Sequence, residues 1–312
     1  LVIRFSSIGD LILISPILRT LFIQKKAHID LLVKEKFGFV YEECPYIKNR
    51  LFFNGSIIET SKAIKKFNYD YIIDLQNNYK SRIITGLTGI KTFRLNKLNI
   101  RKFLTVLTKN RKWLPNKHIV DRMFEAVRPL EIVNDNTGLE YFIPQRFQKS
   151  AENDGLRFPY VALVSGGSYF TKQIPAEIIY KILQKFPSKN FVLLGDKTDE
   201  SLTKHLKADN LQNLCGKLHF HESARLIKHA ECVITSDTGL MHVAAAFKKK
   251  IYSFWGNTIP EFGMYPYLPG EGSRWFEVDN LSCRPCTKLG YGRCPKGHFN
   301  CMLNQNIKNL EF

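Results

Sequence analysis

Two short strings in this chain hold residue types that can do chemistry together: Ser6-Ser7-Ile8-Gly9-Asp10, and Asp237-Thr238-Gly239-Leu240-Met241-His242. Around the second, Val233-Ile234 reads as a buried strand, Asp237-Thr238-Gly239 as a turn, and residues 240–247 as an alanine-rich helix. Asp237 stands at the N-cap, where a carboxylate accepts the orphan amides of the first turn. Gly239 leaves a backbone N–H clear of any Cβ. A helix start combines partial positive charge with unsatisfied amides, which suits a phosphate. His242, one turn in, adds a donor over the same end. Each feature alone is also what any capped helix shows. The whole string D-T-G-x-x-H-x-A-A-A, directly after a buried strand, is far more specific and reads as a pyrophosphate cradle.

Three further groups stand at strand ends. In the first string, Gly9 permits a tight turn. Asp10 is either a helix-start carboxylate or a general base, which must be ionised and within reach of a hydroxyl. Ser165-Gly166-Gly167-Ser168 offers backbone amides to an anion, and Thr171 and Lys172 follow to close over phosphate oxygens, the lysine as a point charge. Asp74, Gln76, Asn77, Lys80 and Ser81 form a polar loop able to read an anionic acceptor, with Asp74 equally able to cap the next helix.

These groups need a scaffold that gathers strand ends. Apolar strands at 1–5, 29–33, 51–53 and 71–75 alternate with helical stretches. The first helix, 11–24, is interrupted by Pro16. Residues 96–117 are basic and poorly periodic, an irregular excursion with one short helix. A polar linker around 145–154 ends the series, which divides the chain into domains 1–150 and 151–312. The pattern then restarts, with strands at 160–164, 191–194 (ending in Gly195-Asp196), 211–215, 233–234 and 251–254. Two such series predict an α/β protein of two facing Rossmann-like domains with mostly parallel sheets. No G-x-G-x-x-G is present, so a dinucleotide dehydrogenase has no support.

The formal charge of +18 over 312 residues favours an anionic partner. Basic residues concentrate between Lys80 and Arg128. No apolar run reaches the ~20 residues of a membrane span. The opening residues read as a first strand rather than a signal peptide, and a few residues are expected before Leu1. Seven cysteines without a signal peptide suit a reducing compartment. Cys283, Cys286, Cys294 and Cys301, with His298 near, have spacings that admit a zinc knuckle. Free thiols in a Pro- and Gly-rich loop segment are the preferred reading.

With these residues assembled, nearly the whole chain resembles the bacterial lipopolysaccharide heptosyltransferases of glycosyltransferase family 9. The likeness rests on the opening L-V-I-R-F-S-S-I-G-D-L, Asp74-Leu75-Gln76 with Lys80-Ser81, Lys172 with Pro175, Gly195-Asp196, D-T-G-L-M-H-V-A-A-A and the late C-R-P-C segment. It implies the GT-B fold. It also implies inverting transfer of heptose from ADP-heptose to the Kdo or heptose of the lipopolysaccharide inner core. The setting implied is cytoplasmic, peripheral to the anionic face of the inner membrane, with no cofactor or metal required and no nucleic-acid partner. On this resemblance Asp10 is the general base. Gly167, Ser168, Thr171, Lys172, Asp237, Thr238, Gly239 and His242 hold the donor diphosphate, and Gly195 and Asp196 lie near its nucleoside. Ser7, Gly9, Gln76 and Lys80 meet the acceptor. One departure is clear: the tryptophan usual before the proline is absent from Lys172-Gln173-Ile174-Pro175. Two other readings share some features. A GT-B nucleotide-sugar 2-epimerase would convert donor without acceptor. A basic, zinc-stapled nucleic-acid module would leave the Asp237 string without a role.

Overall fold

The structure, a computed structural model, describes residues 1–148 and 155–312. It forms two compact units: Leu1–Lys97 with Lys117–Phe142, and Leu98–Asn116 with Ile143–Phe312. The division expected at 150/151 falls outside the described residues. Residues 98–116, which the sequence reading leaves with the N-terminal half, belong to the second unit.

The first unit holds strands β1 (Val2–Ile3), β2 (Asp30–Val33), β3 (Asn49–Phe52), β4 (Ile72–Asp74) and β5 (Thr92–Arg94). They run parallel in the order β3-β2-β1-β4-β5. Its helices are α1 (Ile8–Leu13), α2 (Ser15–Lys25), α3 (Ile57–Lys65), α4 (Tyr79–Thr88) and α6 (Ile119–Val127), with α5 (Asn99–Thr108) assigned to the other unit. The single helix expected over 11–24 is two. Pro16 starts a second segment because it has no N–H to give and is tolerated only in a first turn.

The second unit holds β6 (Tyr160–Val164), β7 (Asn190–Leu194), β8 (Leu211–Asn213), β9 (Cys232–Ser236), β10 (Lys250–Trp255) and β11 (Arg274–Glu277), all parallel in the order β11-β10-β9-β6-β7-β8. Its other helices are α7 (Ala176–Lys185), α8 (Lys197–Thr203), α9 (Phe220–His229), α10 (Gly239–Ala246) and α11 (Asn300–Leu303). β6 and β9 are buried along their full length, as central strands covered on both faces must be. The sequence reading ends the series at residue 254 and omits two of the four edge strands, β5 and β11.

Strand order reverses between β1 and β4 in one sheet and between β6 and β9 in the other. Such switch points open a crevice at the carboxyl ends of the two central strands. The four candidate loops follow β1, β4, β6 and β9. Topology alone therefore gathers the chemistry-bearing residues in pairs within each unit.

The loop after β10 is fixed by a buried arginine. Arg284 donates from Nε to Gly256 O at 2.5 Å, from Nη1 to Val278 O at 2.9 Å and from Nη2 to Thr258 O at 2.9 Å. It also pairs with Glu277 at 2.9 Å. Removing a buried, paired charge strands its partners. Arg284→Ala is therefore expected to destabilise the protein by about 3 kcal/mol. A urea titration reads this as a lower midpoint at unchanged slope; a loss under about 1 kcal/mol would show that the clamp is dispensable.

Candidate functional site

In the second unit the loops after β6 and β9 are tied together. Lys172 Nζ lies 2.5 Å from Asp237 Oδ2, with 16% and 14% of the two side chains exposed. Ser236 Oγ donates to Gly166 O at 3.0 Å. A Cβ on Gly167 would stand 3.4 Å from Lys172 Cβ and 3.9 Å from both Ser236 Oγ and Thr238 Cγ2. Gly167, Lys172, Asp237 and Thr238 thus share one place at the switch point.

The N-cap of α10 is Thr238, not Asp237 as the sequence reading has it. Thr238 Oγ1 accepts the Met241 amide at 3.2 Å. Asp237 has a stronger partner in the lysine, and a weaker contact from Thr258 Oγ1 at 3.5 Å. The amides of Gly239 and Leu240 lie in the first turn, where no intrahelical acceptor exists. His242 is 2% exposed, so its ring is desolvated rather than solvated at the surface. Ser168 is exposed on the loop. Thr171 is buried and its hydroxyl is engaged by the late segment: it donates to Tyr291 O at 3.2 Å and accepts from Tyr291 N at 2.8 Å.

One residue beside this loop escaped the sequence reading. Asp199, in the first turn of α8, accepts the Asp196 amide at 3.0 Å. Asp196 is itself the N-cap of α8, accepting Thr198 N at 2.7 Å and Asp199 N at 3.2 Å. The D-x-x-D spacing of a capping box was the available signal. A Cβ on Gly166 would fall 1.9 Å from Asp199 Oδ2, so only glycine lets the loop meet this carboxyl. Burial pushes the Asp199 carboxyl up to about 6, against the amides of Asp196 and Gly167, with the Asp196 charge adding to the rise. A cavity of about 350 Å³ lies alongside, lined by Ser165, Gly166, Ile174, Asp199, Leu206 and Phe299 among others.

In the first unit, Asp10 sits at the N3 position of α1 and closes a capping box with Ser7. Ser7 N and Oγ both donate to its Oδ2 at 3.0 Å. Arg4 Nη2 lies 2.5 Å from its Oδ1, and 22% of the Asp10 side chain is exposed. Burial pushes its carboxyl up, but the Arg4 charge and the Ser7 donors outweigh that and hold it at about 2. Arg4 is buried, donating also to Leu75 O and, at 3.1 Å, to Ser6 O. A lone arginine within the apolar run L-V-I-R-F was the overlooked signal. Gly9 is buried in α1.

The β4 loop is self-braced. Gln76 Oε1 accepts Phe5 N at 3.0 Å. Asp74 Oδ1 accepts Asn77 N at 2.7 Å and its Oδ2 accepts Ser81 Oγ at 2.8 Å. The cap of α4 is Asn78. Lys80 Nζ stands 5.7 Å from the Phe53 ring centroid and 5.8 Å from that of Tyr79.

All seven cysteines are free thiols. Cys283 Sγ lies 3.9 Å from His298 Nε2, and burial raises the Cys301 thiol to about 12. Among the described residues no group of three or more His, Cys, Asp or Glu side chains is placed to hold a metal ion. No helix among them is long and apolar enough to cross a membrane.

The sequence profile of glycosyltransferase family 9 (heptosyltransferase) matches residues 57–288. Lipooligosaccharide heptosyltransferase 2 of Haemophilus influenzae is 33% identical over 69 residues, 22% of this chain and 20% of that protein. Its Campylobacter jejuni (serotype O:2) namesake is 27% identical over 139 residues, 42% of each chain. The match therefore spans less than half the length of either relative. The solved Escherichia coli ADP-heptose lipopolysaccharide heptosyltransferase II superposes with a TM-score of 0.70, covering 97% of this chain and 96% of that one at 18% identity. That likeness establishes the α/β GT-B fold.

The Asp199 geometry has a consequence for stability. A carboxyl whose folded pKa lies above its unfolded value of about 3.9 binds its proton more tightly when folded. Its contribution to stability therefore falls as pH rises from about 4 to about 6. In denaturation at constant ionic strength, wild type should lose stability relative to Asp199→Asn across that window. Parallel profiles for the two proteins would show that Asp199 ionises normally.

Proposed function

The chain belongs to glycosyltransferase family 9, the heptosyltransferases, and from that premise we propose that it transfers a heptose from ADP-heptose to the Kdo or heptose of a lipopolysaccharide inner core. The observation that carries this reading is the meeting of Lys172, Gly167, Thr238 and the α10 start at the β6/β9 switch point. The relatives, lipooligosaccharide and lipopolysaccharide heptosyltransferases, support the sugar and the acceptor class.

In this proposal the second unit takes the donor. Lys172 and the first-turn amides of α10 neutralise the diphosphate as ADP departs, so leaving-group charge develops against fixed donors. His242 and Ser168 assist, and Gly195 and Asp196 border the nucleoside. Lys172 is already held by Asp237, so the incoming phosphate shares an oriented ammonium instead of recruiting a loose one.

The first unit takes the acceptor, with Ser7, Gly9, Gln76 and Lys80 beside it. Asp10 receives the proton of the attacking hydroxyl. A carboxylate held at about 2 is ionised throughout the physiological range but is a weak base. It cannot strip a free alcohol in advance. It accepts the proton as the new C–O bond forms and the hydroxyl turns acidic, and attack opposite the leaving ADP inverts the anomeric centre. We place the protein in the cytoplasm, at the anionic face of the inner membrane where such an acceptor is presented.

Asp10→Asn should lower kcat by roughly 10²- to 10⁴-fold with ADP affinity unchanged. Normal turnover of this variant would reduce Asp10 to a helix cap. Lys172→Ala should weaken ADP binding by about tenfold or more in isothermal titration, as loss of a charge-assisted contact predicts. Preference for UDP or GDP over ADP would displace the heptose donor. Conversion of the donor with no acceptor added would favour the epimerase instead.

A further inference from the structure

The helix α5 is built inside out. Ile100, Phe103 and Leu107 recur at the i, i+3, i+7 spacing of one helical face and are 77%, 63% and 65% exposed. The buried residue of the helix is Thr105. On the inward side the Lys102 ammonium stands 5.6 Å from the Phe262 ring centroid. A helix stabilised by its own unit would present the opposite face.

The inversion is held in place. Arg111, in the turn after α5, pairs with Glu261 at 2.8 Å and with Glu277 at 3.0 Å. Lys109 Nζ donates to Pro285 O at 2.9 Å. Trp113, 43% exposed, donates from Nε1 to Thr108 Oγ1 at 3.1 Å. Residues 98–116, which carry the apolar face, contain five Lys and Arg and no Asp or Glu. Arg101, Lys109 and Lys112 are exposed among them.

We propose that α5 and the turn after it dock the protein on an anionic lipid bilayer. This names the element for the membrane contact in the functional reading above and rests on that reading for the membrane it meets. Ten residues make a helix of about 15 Å, half the thickness of a hydrocarbon core, so α5 lies along the interface. There its apolar face enters the headgroup boundary, with Lys and Arg at the lipid phosphates and Trp113 at the polar level. Charge decides the occupant. A second copy of this chain would bring an equally basic face, and like charges repel; a surface of acidic headgroups complements it.

The test is co-sedimentation of the full chain with vesicles of phosphatidylglycerol and phosphatidylethanolamine, beside vesicles of phosphatidylcholine alone. At least tenfold tighter binding to the anionic vesicles is expected, with a blue shift of tryptophan emission. The triple variant I100S/F103S/L107S and the charge variant R101E/K112E should each lose at least tenfold, with unchanged melting temperatures. Equal binding to neutral and anionic vesicles, or undiminished binding by either folded variant, overturns the proposal. So does a concentration-dependent dimer that the triple variant abolishes, since a second copy would then be the occupant. No sugar transfer enters the readout. A protein that glycosylates a deacylated acceptor yet ignores anionic vesicles sinks this inference and leaves the transferase reading standing.

Discussion

The contact between Lys172 and Asp237 constrains everything around it in the second unit. It joins the loop after β6 to the loop after β9, the two loops that the reversal of strand order opens. A lysine has four rotatable bonds, and ordering it costs up to about 2 kcal/mol of side-chain entropy. Here that ordering belongs to folding rather than to ligand binding. A chain of contacts extends the constraint outward: Arg284 fixes the carbonyl of Thr258, and Thr258 reaches Asp237 with its hydroxyl. Asp237 is then a holder of the cation, and the neighbouring threonine takes the capping role that an aspartate would otherwise fill.

In the first unit the same logic applies to a carboxylate. Asp10 has every feature of a structural acid: a capping box, an arginine at 2.5 Å and a position in the first helical turn. Those features also decide what chemistry is open to it. Arg4 and Ser7 keep it charged and fixed in direction but drain its basicity. A residue so placed can orient a hydroxyl and catch a proton late, and cannot act as a strong base early. The structural and chemical readings of Asp10 are therefore two descriptions of one set of hydrogen bonds.

Much of the architecture was legible because it rests on local pattern. Apolar strands alternating with helices predict parallel sheets, and strand-end loops predict where polar residues gather. The failures share a different origin. Asp237 was misplaced as the cap because its lysine partner is 65 residues away, and proximity in sequence favoured the helix start. Arg4 carries no local signal of its role because its partners are Asp10 and Leu75, not residues of its own strand. Edge strands β5 and β11 are short and half-exposed, so they lack the buried apolar run that marks β6 or β9. Residues 98–116 read as part of the N-terminal half because nothing local announces that Arg111 is bound to carboxylates 150 and 166 positions later.

Glu277 shows why that last assignment matters. Its carboxylate, at the end of β11, receives Arg111 at 3.0 Å and Arg284 at 2.9 Å. Burial alone would raise its pKa, yet the two guanidinium groups hold it below the usual range. One acid thus joins the 98–116 excursion to an edge strand and to the cysteine-rich segment. Rolling α5 so that Ile100 and Leu107 turned inward would carry the adjoining turn with it and pull Arg111 off both glutamates. Stranding the half-buried Glu277 and Glu261 without that guanidinium opposes what the burial of the two aliphatic side chains would return. The outward apolar face of α5 is therefore a consequence of where its charges are anchored, and a partner that covers it must come from outside the unit.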